Sequence, residues 1–285
     1  MMIRVGSRES ALAVAQAKIL MAHLESKGIE TRLVTMKTTG DMILDRPLDE
    51  IGGKGLFVKE LDNALLEGAV DLTVHSYKDM PMQIDERLPI VAVSRREDPR
   101  DALILPQGKA EFRLVGCSSA RRTLQLKQLF PQIRVEPLRG NILTRLSKLD
   151  SGEYSAIVLA AAGLRRLGLQ GRISRLFDSE EMIPAACQGI LSVQSRQGFD
   201  VDIFEGFHCP DAWDASIAER SFVAALDGGC SSPIAAYAQI GEDSVKLIGL
   251  YVDKNGAVHT GSITDARKNA EQAGERLAEN LRSEE

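Results

Sequence analysis

Twice along the chain, a short apolar strand is expected to run into a glycine-serine turn and then a helix. Ile3 and Val5 begin the first strand, and Gly6-Ser7-Arg8-Glu9-Ser10 follows as a polar turn. Leu12, Ala15, Ile19 and Leu24 then fall near helical spacing, with Gly28 as the stop. Leu114-Val115 later enters Gly116-Cys117-Ser118-Ser119, whose serines can cap a helix carrying Arg121 and Arg122 in its first turn. The recurrence predicts an α/β chain with two βα-rich halves of similar plan, their polar loops facing a shared cleft. A length of 285 residues, above the usual single-domain size, accommodates two halves and more.

Within the first half, Leu33 to Met36 suggests a second strand, and Phe57, Leu61, Ala64 and Leu65 form one face of a helix that Gly68 ends. Val70, Leu72 and Val74 alternate as a strand, delivering His75-Ser76-Tyr77-Lys78-Asp79-Met80-Pro81 to its carboxyl end. Ligands of open α/β sheets bind beyond the carboxyl ends of strands, so this polar loop is a candidate site by position alone. In the second half, Ile133-Arg134-Val135 leads to Leu138-Arg139-Gly140-Asn141, then to a helix expected to turn Leu143, Leu146 and Leu149 inward. Ala156 to Ala160 reads as a buried strand, followed by Gly163-Leu164-Arg165-Arg166. From about Cys209 the pattern becomes a small α+β unit. Helices over Ile217–Leu226 and Asp265–Arg282 flank alternating segments around Tyr237, Leu247 and Tyr251.

A net charge of −5 argues against a general nucleic-acid binder. No apolar run reaches the ~18 residues of a spanning helix, and the first residues lack an apolar leader core, so a cytoplasmic protein is expected. The four cysteines are widely spaced without a C-x-x-C pair, and neither a disulfide framework nor a metal site is expected. Arginine, by contrast, recurs beside Ser, Gly or Asn in the second half. Arg121-Arg122, Arg139, Arg145 and Arg165-Arg166 join Arg8 in the matching turn of the first half. Any single one reads as surface charge; the set reads as a binder of a polyanion. Arginine in a first helical turn opposes the helix dipole, and an anionic ligand supplies the missing reason. Asp79 is either a turn residue or a proton-transfer group. Cys230, in Gly228-Gly229-Cys230-Ser231-Ser232-Pro233, occupies a loop where a thiol can act as a nucleophile. His75, at a strand end, reads as a structural histidine.

These signals join in a resemblance. Val74-His75-Ser76-Tyr77-Lys78-Asp79-Met80-Pro81, Gly52-Gly53-Lys54-Gly55-Leu56-Phe57-Val58-Lys59-Glu60-Leu61 and Leu138-Arg139-Gly140-Asn141 with Thr144-Arg145-Leu146 resemble segments of the porphobilinogen deaminase family. So do Leu159 to Gly168, and Glu219-Arg220 with Gly228-Gly229-Cys230 and Pro233-Ile234. The resemblance implies two domains like type II periplasmic binding proteins around a cleft, plus a small C-terminal α+β domain. The boundaries expected are 1–95 with 190–208 for domain 1, 96–189 for domain 2 and 209–285 for domain 3. It implies a monomeric transferase of heme biosynthesis that joins four porphobilinogen molecules into hydroxymethylbilane, on a dipyrromethane cofactor held by a thioether to Cys230. Asp79 would be the catalytic acid stabilising the cationic azafulvene. Arg8, Arg121, Arg122, Arg139, Arg145 and Arg166, with Ser76, Lys78, Ser119, Gln188, Lys54 and Phe57, would bind cofactor and substrate.

The chain departs from the family pattern at Cys117, where a threonine is expected near the ligand. It departs again at Cys187 and Gln194, where glycine and glutamate are expected. A non-catalytic two-lobed polyanion-binding module is the rival reading; it would not need Asp79 and Cys230 together.

Overall fold

The computed structural model describes residues 2–38, 40, 58–108, 111–228 and 233–283. In chain order its strands and helices are β1 (Met2–Arg8), α1 (Ala11–Ser26), β2 (Glu30–Met36), α2 (Lys59–Leu66), β3 (Leu72–Ser76), β4 (Ile90–Val93), β5 (Asp101–Ile104), β6 (Leu114–Gly116), α3 (Ala120–Leu129), β7 (Arg134–Glu136), α4 (Ile142–Asp150), β8 (Ala156–Ala160), α5 (Ala161–Arg166), β9 (Arg175–Leu176), β10 (Leu191–Ser195), α6 (Pro210–Ala225), β11 (Ala235–Ile240), β12 (Ser244–Val252), β13 (Val258–Ala266) and α7 (Ala270–Arg282). Two compact units result. One is Met1–Glu97 with Ile190–Trp213, the other Asp98–Gly189 with Asp214–Glu285.

The first unit is an open sheet of order β2-β1-β3-β10-β4. β1 runs parallel to β2 and β3, while β10 is antiparallel to both β3 and β4. Its core joins Ile3, Val5, Leu72, Val74, Leu191 and Val193 of the sheet to Leu20, Leu24 and Phe204. Ser10 caps α1 by accepting the Ala13 N–H at 3.3 Å. The buried stripe of α1 is Ala13, Gln16, Ala17, Leu20 and Leu24. It is rotated from the Leu12–Ala15–Ile19 face expected from sequence, and Ile19 stands 42% exposed. Ala17, Leu20 and Leu24 of this stripe pack in the core beneath the sheet.

The second unit repeats the plan with order β7-β6-β8-β5-β9. β6 is parallel to β7 and β8, and β5 is antiparallel to β8 and β9. In both sheets the antiparallel strand, second from one edge, is the one that arrives by a crossing of the chain. That shared order gives both lobes one plan, a single antiparallel strand set into an otherwise parallel sheet. α4 turns Leu146 and Leu149 inward as expected, but Leu143 is 49% exposed, one position off the buried stripe.

A third, antiparallel sheet of order β11-β12-β13 carries α7 against it through Ala273, Leu277 and Leu281. Two expectations need correction here. Asp265 belongs to β13, with α7 starting at Ala270, because residues 258–266 alternate in burial with few apolar side chains to announce a strand. The helix expected from Ile217 begins at Pro210, where proline is well suited to a first turn.

Candidate functional site

The first lobe contributes the carboxyl end of β3. Residues Tyr77–Asp79 form a single 3₁₀ turn there. The Tyr77 N–H donates to the Ile190 carbonyl at 3.0 Å, and the Met80 N–H closes the turn on the Tyr77 carbonyl at 3.2 Å. Tyr77 and Met80 are buried and Asp79 between them is exposed, so two apolar anchors present one carboxylate to solvent. The Ser76 hydroxyl accepts from Gln16 Nε2 at 2.8 Å, an α1 side chain that is itself buried. Lys78 and Arg8 are half-buried, and Arg8 ends β1 beside this strand.

His75 is structural, as its position suggested. Its Nε2 lies 2.9 Å from Thr73 Oγ1 inside the sheet. Burial, reinforced by the charge of Arg8, pushes its pKa down from 6.5 to about 4. The neutral ring is therefore the folded form. Its contribution is complete above pH 6.5 and is lost as pH falls towards 4. A shift of this size corresponds to roughly 3 kcal/mol. His75→Asn should flatten the stability–pH curve between those limits, as read by urea unfolding at several pH values. An unchanged slope would remove His75 from the acid response.

The second lobe gathers the arginines at one sheet edge, since β6, β7 and β8 are parallel and their following segments carry them. After β6, Ser119 caps α3 by accepting the Arg122 N–H at 3.4 Å. Ser118 ties this turn to the next loop, its hydroxyl donating to the Leu138 carbonyl at 2.9 Å and accepting the Leu138 N–H at 2.8 Å. After β7, Arg139 is half-buried and Gly140 adopts φ +111°, a left-handed conformation open to glycine. Asn141 caps α4, and Arg145 Nε donates back to the Gly140 carbonyl at 2.8 Å. After β8, Arg166 Nη2 donates to the Gly189 carbonyl at 2.5 Å.

Arg121 and Arg122 are buried, and both face Asp101, which is 0% exposed at the start of β5. Arg121 Nη1 pairs with Asp101 Oδ2 at 2.7 Å and donates to the Ile183 carbonyl at 2.7 Å. Arg122 donates to Asp101 Oδ1 from Nε at 3.0 Å and from Nη2 at 2.8 Å. The same oxygen accepts Gln188 Nε2 at 2.8 Å, and Gln188 Oε1 accepts Arg122 Nη2 at 3.4 Å. Burial alone would raise the Asp101 pKa; the two guanidiniums overcome it and hold the carboxyl well below its ordinary range. This is one ordered polar cluster carrying a net positive charge. The sequence reading missed Asp101. Its signal was available, an acidic residue opening the apolar run Ala102-Leu103-Ile104, because a charge in a buried strand needs a partner.

The departures find physical accounts. Cys187 has φ 62°, the left-handed region, which explains why glycine is expected there; a non-glycine residue there costs on the order of 1 kcal/mol. Cys117 lies in the core with Val115, Leu126 and Ile133. Gln194 is buried in β10, its Nε2 donating to the Leu88 carbonyl at 2.8 Å. Lys54, Phe57 and Cys230 lie outside the described residues.

Guanidiniums, an amide and hydroxyls at one sheet edge make a donor set suited to a carboxylate-rich group. A dipyrromethane bearing acetate and propionate side chains is such a group, so the residues present fit it. Among the described residues, no helix is long and apolar enough to cross a membrane.

Residues 3–202 match the family described as "Porphobilinogen deaminase, dipyromethane cofactor binding domain", and residues 213–283 match "Porphobilinogen deaminase, C-terminal domain". The chain is 60% identical to a porphobilinogen deaminase of Acetivibrio thermocellus over 98% of its own length and 97% of the relative's. It is 58% identical to one of Alkaliphilus oremlandii over 100% and 98% of the two lengths. Agreement across the whole chain, joined to the two-lobed fold, leaves one assignment: this chain belongs to the porphobilinogen deaminase family.

Proposed function

We propose that this chain is a hydroxymethylbilane synthase, a transferase of heme biosynthesis that joins four porphobilinogen molecules head to tail with release of ammonia. The arginine set at the carboxyl edge of the second sheet is the observation that supports this substrate class. Each pyrrole brings two carboxylates, and an overall acidic protein still places several arginines in those segments. A dipyrromethane attached to Cys230 supplies the primer on which the product is built. Arg121, Arg122, Arg139, Arg145 and Arg166, with Ser119 and Gln188, hold acetate and propionate groups. Arg8, Ser76 and Lys78 do so from the first lobe, and Lys54 and Phe57 contribute from the segment before α2.

Asp79 stands at a strand end with its carboxylate exposed on a buried turn. It offsets the positive charge that develops on the substrate as ammonia leaves, and it accepts and returns a proton. The chain is read as three domains, 1–95 with 190–208, 96–189 and 209–285. Three separate sheets and the gap between the two matched family segments support that division. A cytoplasmic monomer acting on a small molecule, without a nucleic-acid or membrane partner, completes the proposal.

The test is the intact mass of the denatured protein beside a Cys230→Ser control. A mass excess equal to two linked pyrroles, absent from the control, is expected. Bare polypeptide mass that persists after incubation with porphobilinogen would sink the reading and favour a non-catalytic polyanion binder.

A further inference from the structure

The Glu219-Arg220 pair belongs to the family-like pattern, yet the chemistry above assigns Glu219 no task. Glu219 sits in α6 and is 0% exposed. A carboxylate taken wholly out of water needs strong donors, and two that Glu219 has come from different parts of the chain. Its Oε2 accepts the Cys187 N–H at 2.6 Å, and its Oε1 accepts the Ala238 N–H at 2.7 Å. Both donors are main-chain groups, so the carboxylate fixes backbone position.

The two places it fixes are informative. Cys187 precedes Gln188, whose side chain contacts Asp101 and Arg122. Its backbone is held in the left-handed region at φ 62°, a conformation that a cysteine keeps only when its surroundings impose it. The 2.6 Å charge-assisted bond at its own N–H is such an imposition. Ala238 lies in β11, the strand entered directly after the Gly228–Pro233 segment that contains Cys230. Among the described residues β11 pairs with β12 alone, so an N–H on its other side is available to a side chain. A second link runs the same way, with the Ala236 N–H donating to the Pro184 carbonyl at 3.1 Å.

From this geometry we infer that Glu219 is a positioning residue for the cofactor-bearing reaction site. It locks the turn that presents Gln188 to the arginine pair onto the strand that leaves the cofactor-attachment segment. The Gln188 turn and β11 then keep one fixed spacing. The inference rests on the reading of Cys230 as the attachment point. Glu219→Gln keeps shape and volume but turns an N–H₂ group towards one of the two backbone donors, so one link is lost and two donors face each other.

The experiment combines intact mass, steady-state kinetics and amide hydrogen exchange on the full chain, with wild type, Cys230→Ser and Glu219→Gln side by side. Glu219→Gln is expected to lower kcat by on the order of tenfold or more, with a smaller change in KM, because misplacement and not lost substrate contact is the defect. Amides of Cys187 and Ala238 should exchange faster, while Val158 in β8 keeps its protection. Wild-type kcat together with unchanged exchange at both amides would overturn the inference, as would a lowered melting temperature with kcat intact. Should Glu219→Gln not fold, Ala238→Pro deletes one donor and leaves the carboxylate in place. A fall in kcat with KM nearly kept is again expected, and unchanged kinetics would overturn the inference. If wild type itself carries no two-pyrrole mass, the functional reading fails. If wild type is loaded and these variants match it, only the role of Glu219 fails.

Discussion

Asp101→Asn is expected to destabilise the second lobe by roughly 3–5 kcal/mol, because removing one partner of a buried ionic cluster leaves the others uncompensated. The asparagine would keep the shape of the site but leave Arg121 and Arg122, 4% and 7% exposed, beside each other without the Asp101 charge that both now face. Arg121 is already drawn down by burial, against the support it takes from Asp101. Losing that support sharpens the conflict. Urea unfolding read by far-UV circular dichroism would show the midpoint move with little change in slope. A variant as stable as wild type would mean that the guanidiniums reach water or another anion, and that Asp101 does not organise them.

The second large effect is catalytic. Asp79→Asn should lower the rate of porphobilinogen consumption by about 10²–10⁴, the range a positioned acid–base group contributes. Stability should hardly move, since the Asp79 side chain is exposed while Tyr77 and Met80 anchor its turn. Single-turnover and steady-state measurements with porphobilinogen, alongside a melting curve, separate the two readouts. A rate within threefold of wild type, a margin of about 0.7 kcal/mol in barrier, would take Asp79 out of the chemistry.

The sequence carried the plan of the fold well because the two βα halves repeat the same strand–turn–helix signal, and Ser119 caps its helix where the serines after β6 were expected to. Helix faces were less legible. The first half of the α1 stripe is Ala13, Gln16 and Ala17, small or polar residues that periodicity counting undervalues against Leu12 and Ile19. The β13 strand was misjudged because its His259-Thr260-Gly261-Ser262 stretch carries no apolar alternation, and its place comes from pairing with all of β12. At the site, the arginines were visible as a set, but their inward ion pairs were not. Asp101 lies about twenty positions away from them in sequence, and nothing local announces that a strand in between brings the three together.

The place of β10 between β3 and β4 in the first sheet has a consequence for biosynthesis. A ribosome releases the chain from its amino end, and β4 has no neighbour in its sheet until Leu191–Ser195 has emerged to lie between it and β3. Every strand of the second sheet, from Asp101 to Leu176, has been delivered by then. The lobe encoded second is thus the first whose sheet can close, and the nascent first lobe must wait with an open edge for a strand about a hundred residues downstream.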